Sequence, residues 1–407
     1  MPDRDKLDQW IDAHFEEEVR FLQELIRVPT DTPPGDNAPH AERTAGLLAA
    51  FGLPAEKHPV PQAEVQACGM QSVTNLIVRR KYAEGRTIAL NAHGDVVAPG
   101  EGWSRDPYGG DIAEGRIYGR AAAVSKSDFA TFTFAVRALE SLQAPLRGGV
   151  ELHFTYDEEV GGELGPRWLL RHKLTRPDLL IVAGFSYAVI TAHNGCLQME
   201  VTLHGKMAHA AIPDTGVDAL QAAVRVLDAL YSLGREYQNV TSGVPGIGHP
   251  TFNVGRIEGG THTNVVPGKV VFKLDRRMIP EEDAAEVEAA IRQVIARSAE
   301  RCPGIVVEIR RMMLAHPLRS LPGNQPLVEA LQRHGEAVFG QPIPAMGSPL
   351  YTDARLYAEA GIPSVVYGAG PRTVLESNAK RADERLELDD LRKATKVIAR
   401  TLRDLLA

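Results

Sequence analysis

Two short strings hold the residues best suited to chemistry. His93 and Asp95 stand two apart in Ala92-His93-Gly94-Asp95, directly after the apolar run TIALN. Strand alternation would turn both side chains to one face, where a carboxylate can orient an imidazole for metal binding or proton transfer. A structural polar turn is the alternative, because H-x-D is a small motif. Glu158 and Glu159 close the string HFTYDEE and are followed by Val-Gly-Gly. Neighbouring carboxylates on a strand point apart, so one can ligate or pair with a cation while the other works as a base. Here the alternative is a solvated acidic turn.

Both strings lie at the ends of apolar runs, which calls for a sheet to position them. TNLIV near 74, TIALNAHGD near 87, GGVELHFTYDEE near 148 and DLLIVAG near 178 each stop at a polar or Gly-rich bend. Helical stretches such as FATFTFAVRALESL separate them, and an amphipathic first helix carrying Trp10, Ile11, Phe15, Leu22 and Leu25 precedes them, ending near Pro29. This alternation predicts an α/β domain with reactive groups at strand ends. From about His193 the order becomes β-α-β-β-α-β, from CLQMEVTLHG to GIVVEIRRM, the pattern of a ferredoxin-like inserted domain. The first texture returns near Pro317, with LVEALQRHGEAVF and PSVVYGAG. The expected organisation is a discontinuous catalytic domain of residues 1–192 and 315–407 around an insert of residues 193–314.

The 407 residues and 44% hydrophobic content suit two globular domains. A net charge of -7 provides no basic field for nucleic acid or anionic lipid, leaving small solutes as the expected partners. Cys68, Cys196 and Cys302 are odd in number and widely spaced, which argues against a disulfide framework and for a reducing compartment. No apolar run has signal-peptide or membrane-spanning character, so a cytoplasmic location is expected.

Taken together, HGDVVAPGEGWSRDPYGG, RIYGR, DEEVGGELG, HGKMAHAA, NVVP with DRR, and TDARLYAEAGIPSVVYGAG resemble, in order, the motifs of the M20 family of zinc aminoacylases, carboxypeptidases and desuccinylases. The resemblance implies a zinc-peptidase-like catalytic domain with a ferredoxin-like lid that usually dimerises, hence a homodimer. In that family two zinc ions are held by five groups, of which His93 and Glu159 match two. Val124 stands at the position of the bridging Asp, Gly184 at that of an acidic turn residue, and Lys380 at that of a late His. Valine offers no electron pair and an ammonium repels a dication. Two ligands fall short of the three plus water typical of catalytic zinc. No cofactor, or at most one weakly held Zn or Mn, is therefore expected. Nearby side chains such as Asp128, Ser186, His193 or Glu376 are candidates to rebuild a site.

Without two dications, Glu158, Glu159 and Asp95 would form an uncompensated acidic cluster, which is costly in a cleft. Lys380 is expected to supply the missing cation close to Glu159 and His93, with Val124 keeping the vicinity dry. The resemblance makes Glu158 the general base. It also makes Arg277, Asn264 and the loop Gly368-Ala369-Gly370 the holders of a substrate carboxylate, and His209 a lid group that reaches a neighbouring active site. Three functions remain open at this point. The first is a hydrolase of a small carboxylate-bearing amide or N-acyl amino acid with little or no metal. The second is a metal-independent isomerase, epimerase or lyase that uses Glu158 with Lys380 or His93. The third is a non-catalytic ligand-binding homologue.

Overall fold

Short runs with no polar alternation, such as LLIV, can be buried on both faces of a sheet, and these are the runs that become the central parallel strands. The computed structural model describes residues 3–407. The chain begins with α1 (Asp3–Ile26), α2 (Ala38–Ala50), β1 (Glu56–Pro59), α3 (Gln62–Ala67), β2 (Thr74–Lys81), β3 (Thr87–His93), β4 (Asp111–Ala113), β5 (Arg116–Tyr118) and α4 (Lys126–Ser141). It continues through β6 (Gly149–Thr155), α5 (Pro166–Arg171), β7 (Leu179–Val182) and β8 (Val189–His193). Next come β9 (Gly195–His204), α6 (Ala219–Glu236), β10 (Thr251–Gly259), β11 (Lys269–Met278), α7 (Ala284–Ala299) and β12 (Val306–Ala315). The chain closes with α8 (Gln325–Phe339), β13 (Ala345–Ser348), α9 (Ala354–Glu359), β14 (Ser364–Val366), β15 (Arg385–Glu387) and α10 (Leu388–Leu405).

These elements form two units. The first comprises residues up to Thr191, Ser320–Met346 and Thr352–Ala407; the second comprises Ala192–Arg319 and Gly347–Tyr351. The insert thus reaches Arg319 rather than stopping at 314, and it takes in a second short segment. Backbone pairing explains both differences. His193 and Leu318 exchange two hydrogen bonds, and Arg319 Nε donates to Pro280 O at 2.5 Å. Gly347 N donates to Pro245 O at 2.7 Å, and Asn194 N donates to Ser348 O at 3.1 Å.

In the first unit an eight-stranded sheet has the order β1-β2-β6-β3-β7-β14-β8-β13. β6, β3, β7 and β14 run parallel, so their carboxyl ends share one edge. The loops that leave that edge gather in one place, which is where ligands bind in sheets of this kind. α4 is buried on almost every side, with Phe129, Phe132 and Phe134 in the core, and it packs with α1 and α10. α1 contributes Leu7, Ile11, Leu22 and Leu25 to the same core. A small antiparallel sheet, β15-β5-β4, completes the unit.

In the second unit β9, β10, β11 and β12 pair antiparallel in the order β10-β11-β9-β12, with α6 and α7 supplying the βαββαβ connections. This is the ferredoxin-like arrangement. Alternation is clear along β11, where Val270, Phe272, Leu274 and Met278 are buried. Asp218 and Asp283 cap α6 and α7 by accepting backbone N–H bonds in the first turn.

Candidate active site

His93 is the last residue of β3, and Asp95 lies beyond the strand end. The imidazole Nδ1 is 3.0 Å from Asp95 O and 3.4 Å from Asp95 Oδ1, while Nε2 is 3.8 Å from Glu158 Oε2. Asp95 has a second task as well. Its two carboxylate oxygens accept the backbone N–H groups of Glu158 (3.2 Å) and Glu159 (3.0 Å). The sequence reading put the two glutamates on a strand; instead β6 stops at Thr155 and Glu158–Val160 form a single 3-10 turn. A free helical turn start exposes N–H donors, and the buried Asp95 carboxylate satisfies two of them.

Lys380 Nζ lies 2.6 Å from Glu159 Oε2. The lysine side chain is 54% exposed while the Glu159 side chain is 7% exposed, so the ammonium covers a buried carboxylate from the solvent side. Burial opposes the lysine charge, but Glu159 and Glu158 outweigh it and raise its pKa above the ordinary value. The loop that holds Lys380 is fixed from below. Arg120 and Glu384 form a buried ion pair at 2.5 Å, and Glu384 also accepts the N–H groups of Ala123 (3.1 Å) and Lys380 (3.4 Å). Asp383 accepts from both N and Oγ of Ser104 at 2.9 Å. Val124, half-buried, stands beside this network with its N–H 3.4 Å from Glu384 Oε1.

Burial raises the Glu158 carboxyl to about 8, opposed by the charge of His93. Burial works against a protonated His93, yet Glu158, Asp95 and Glu159 raise it to about 10. The Glu158 charge and the imidazole proton favour each other, and Asp95 and Glu159 add to the hold on that proton. Asp353, which had no role in the sequence reading, is a further buried carboxyl. Burial lifts it to about 7 against the pull of His93, and its Oδ2 has no hydrogen-bond partner. The string TDAR was the one signal that could have pointed to it.

Asp128 does not turn toward a metal. Its Oδ1 accepts Ala369 N–H at 2.7 Å and its carboxyl also accepts from Gly184 N–H. The loop Gly368-Ala369-Gly370, expected to present backbone donors to a substrate, therefore has them engaged: Gly368 N–H points to Phe185 O (3.4 Å), Ala369 N–H to Asp128, and Gly370 N–H to Gly184 O (2.8 Å). Ser186 Oγ donates to Gly370 O at 2.8 Å, His193 Nδ1 faces Asn194 O at 2.9 Å, and Glu376 lies exposed. Among the described residues, no three His, Cys, Asp or Glu side chains are grouped so as to hold a metal ion.

In the second unit, His209 and Asn264 share one strand-like pairing. His209 bridges Val265, and Ala210 N donates to Asn264 O at 3.0 Å. His209 is exposed, with Nδ1 accepting from Ala211 N. Arg277, near the end of β11, is held by Asp275 through Nε–Oδ1 (2.7 Å) and Nη2–Oδ2 (3.2 Å), and its guanidinium lies 5.7 Å from the Tyr351 ring centre. Gln198 Nε2 donates to Asp275 from the side at 3.0 Å.

A mixed α/β sheet carries carboxylates and a histidine at the ends of its parallel strands, and a ferredoxin-like unit is inserted into the chain. The model of peptidase family M20/M25/M40 matches residues 89–404, and the chain belongs to that family. It is 26% identical over 343 residues to a succinyl-diaminopimelate desuccinylase from Sulfurovum sp., covering 82% of this chain and 88% of that protein. It is 29% identical over 394 residues to an acetylornithine deacetylase from Myxococcus xanthus, covering 94% and 95%. In structure it resembles an M20 family metallo-carboxypeptidase from Sulfolobus solfataricus, with TM-score 0.77, 20% identity and coverage of 95% and 98%. It also resembles the di-peptidase Dug1p from Saccharomyces cerevisiae, with TM-score 0.78, 14% identity and coverage of 99% and 98%. At these identities the structural likenesses establish the fold alone. No helix among the described residues is long and apolar enough to cross a membrane.

Proposed function

We infer that this chain is an M20-type hydrolase of a small carboxylate-bearing amide, of the N-acyl amino acid kind, whose catalytic centre works without a tightly bound metal. The observation that carries the reading is the Lys380–Glu159 ion pair at 2.6 Å. It sets an ammonium on one of the two donors that match family ligands. Two donors, with one of them already neutralised, do not fit a zinc site, which needs three protein ligands and a water. A single cation also suits what surrounds it, since Glu158, Glu159 and Asp95 would otherwise repel one another in a buried place.

On this reading Glu158 is the base. Its raised pKa brings proton transfer near neutrality, within reach of an incoming water or substrate proton. Asp95 holds the Glu158–Glu159 turn in place and, with His93, orients the cluster. Lys380 supplies positive charge where a reacting oxygen would gain negative charge. Arg277, oriented by Asp275, and Asn264 are the groups assigned to the substrate carboxylate, with His209 assisting. The chain acts as a homodimer in the cytoplasm. The desuccinylase and deacetylase relatives support the amide class of substrate.

The test is metal analysis of the purified protein, paired with turnover of N-acyl amino acids before and after chelation. Substoichiometric metal and chelator-resistant turnover are expected. One tightly held zinc per chain, or activity abolished by chelator and restored by zinc, would sink the metal-free reading. A second reading draws on the His93–Glu158 approach at 3.8 Å, which offers a proton donor and an acceptor side by side. This suits isomerisation or elimination next to a carboxylate, and incorporation of solvent deuterium into unhydrolysed substrate would favour it.

A further inference from the structure

Gly161 closes the turn that carries Glu158, and its two peptide groups are held from opposite sides. Its N–H donates to Glu158 O at 3.1 Å, and its carbonyl accepts Arg355 Nη2 at 2.6 Å. Arg355 lies in α9 and is 1% exposed. A guanidinium buried so deeply is costly unless polar groups meet it, so the groups that meet it fix its place. Besides Gly161 O these include Glu359, one turn along α9, whose Oε1 stands 4.0 Å from Arg355 Nη1. Glu359 Oε2 in turn accepts Arg167 Nη2 at 2.7 Å, and Arg167 Nε donates to Glu163 Oε1 at 2.8 Å. These contacts leave the loop at residue 161 and return to it at residue 163. The outer members are partly exposed and contribute little, whereas the Arg355–Gly161 bond is buried. α9 also fits the loop in shape. Gly161 and Gly162 turn the chain at φ +113 and +73, and a Cβ on Gly162 would meet Asp353 Oδ1 and Leu356 Cδ1, each at 2.5 Å. Burial raises the pKa of Asp353, and the charges of His93 and then Arg355 oppose it, so the guanidinium belongs to the electrostatics of the acidic cluster. At the other end of the turn, the buried Asp95 carboxylate accepts the N–H groups of Glu158 and Glu159. An anion at the N–H end and a cation at the carbonyl end match the dipole of a helical turn.

We propose that Arg355 is a positioning residue for the Glu158 carboxyl: it grips the Gly161 carbonyl at one end of the Glu158–Val160 turn, opposite the Asp95 grip on the N–H groups at the other, and so fixes where Glu158 presents its oxygens. The inference rests on the reading above for Glu158 being the base. Arg355 itself touches no reacting atom. It acts through one peptide, since the Gly161 residue whose carbonyl it holds is the one whose N–H meets Glu158 O.

The experiment is Arg355→Met, read by amide exchange and by turnover. Exchange over residues 158–162 is expected to rise about tenfold or more, as loss of a hydrogen bond from a charged donor implies, while β6 and α10 keep wild-type rates. With N-acyl amino acids as substrates, kcat should fall roughly tenfold to a hundredfold and KM should stay within about twofold, the pattern of a displaced base rather than a lost substrate contact. Exchange that rises equally in β6 and α10, as a general loss of stability would produce, overturns the proposal. Wild-type exchange over 158–162, or an unchanged kcat, does the same. Should Arg355→Met fail to fold, Arg355→Lys decides. Lysine keeps the buried charge but not the planar fork that meets Gly161 O and Glu359 together, so the same local rise and the same loss of kcat are expected at smaller size. Wild-type values in both overturn the proposal. Exchange needs no substrate. If the chain cleaves no amide, the hydrolase reading falls by itself, and the exchange rates still decide whether Arg355 holds the turn.

Discussion

An ammonium differs from a zinc ion in that it carries one charge on a flexible stem and cannot bring a bound water to a pKa near 7. On the proposed reading Lys380 therefore steadies charge, and the proton must move through Glu158. Replacing Glu158 by Gln should lower turnover by roughly 10²–10⁴, the usual worth of a general base, with ligand affinity measured by calorimetry little changed. Turnover that survives this change would show that the base is elsewhere. Lys380→Met should separate two quantities. The pair is half exposed on the lysine side, so chemical denaturation should register no more than about 1 kcal/mol. Turnover should fall by more than about tenfold, because one oxyanion-type charge is typically worth more than that. A Lys380→Met protein with full activity would remove the ammonium from the mechanism.

Strand ends set most of the site, and that much was legible. The runs before His93 and Glu158 are strands, and both residues sit at the edge where the parallel strands β3 and β6 end. The opposition of Lys380 to Glu159 was legible too, from the charge that a missing dication would leave behind. The Glu158–Glu159 turn was not, because a D-E-E string reads equally well as a strand end. What forms it is the distant Asp95 carboxylate, which accepts both N–H groups. Asp353 and the Arg120–Glu384 pair were invisible for the same reason, since their importance comes from burial and from partners far along the chain. Gly184 was read against the family's acidic turn position and not as a steric requirement, which the closeness of Val366 Cγ1 makes it. Gly184→Glu, which puts an acidic side chain in this turn, should force Val366 and β14 apart and cost about 1–3 kcal/mol, the usual price of overpacking. A Gly184→Glu protein as stable as the parent, measured by urea unfolding, would show that the turn can open.

At the scale of the whole molecule, α1 and α10 join distant parts of the chain. Arg400 meets Asp8 at 2.6 Å, Lys396 meets Asp12 at 2.7 Å and Arg403 meets Asp3 at 3.0 Å. Beneath them Glu18 is fully buried, accepts Thr395 Oγ1 at 2.6 Å, and is raised by burial to about 8 from an ordinary 4.5. The sign follows from proton linkage. Between those values the folded chain holds a proton that the unfolded chain has released, so stability is full below pH 4.5 and declines as pH rises toward 8. The limit is roughly 5 kcal/mol at about 1.4 kcal/mol per pKa unit. Glu18→Gln should flatten the melting temperature between pH 5 and pH 8, and an unchanged slope would place the titration elsewhere. The same pairing of first and last helices sets an order of assembly. During synthesis the inserted unit, residues 192–319 with its short segment 347–351, is complete while its host still lacks β14 and α10. The ferredoxin-like portion can thus be finished and standing before the Lys380 loop exists, so the cluster of acids at the strand ends stays open to water until the final stretch of chain brings its counter-charge home.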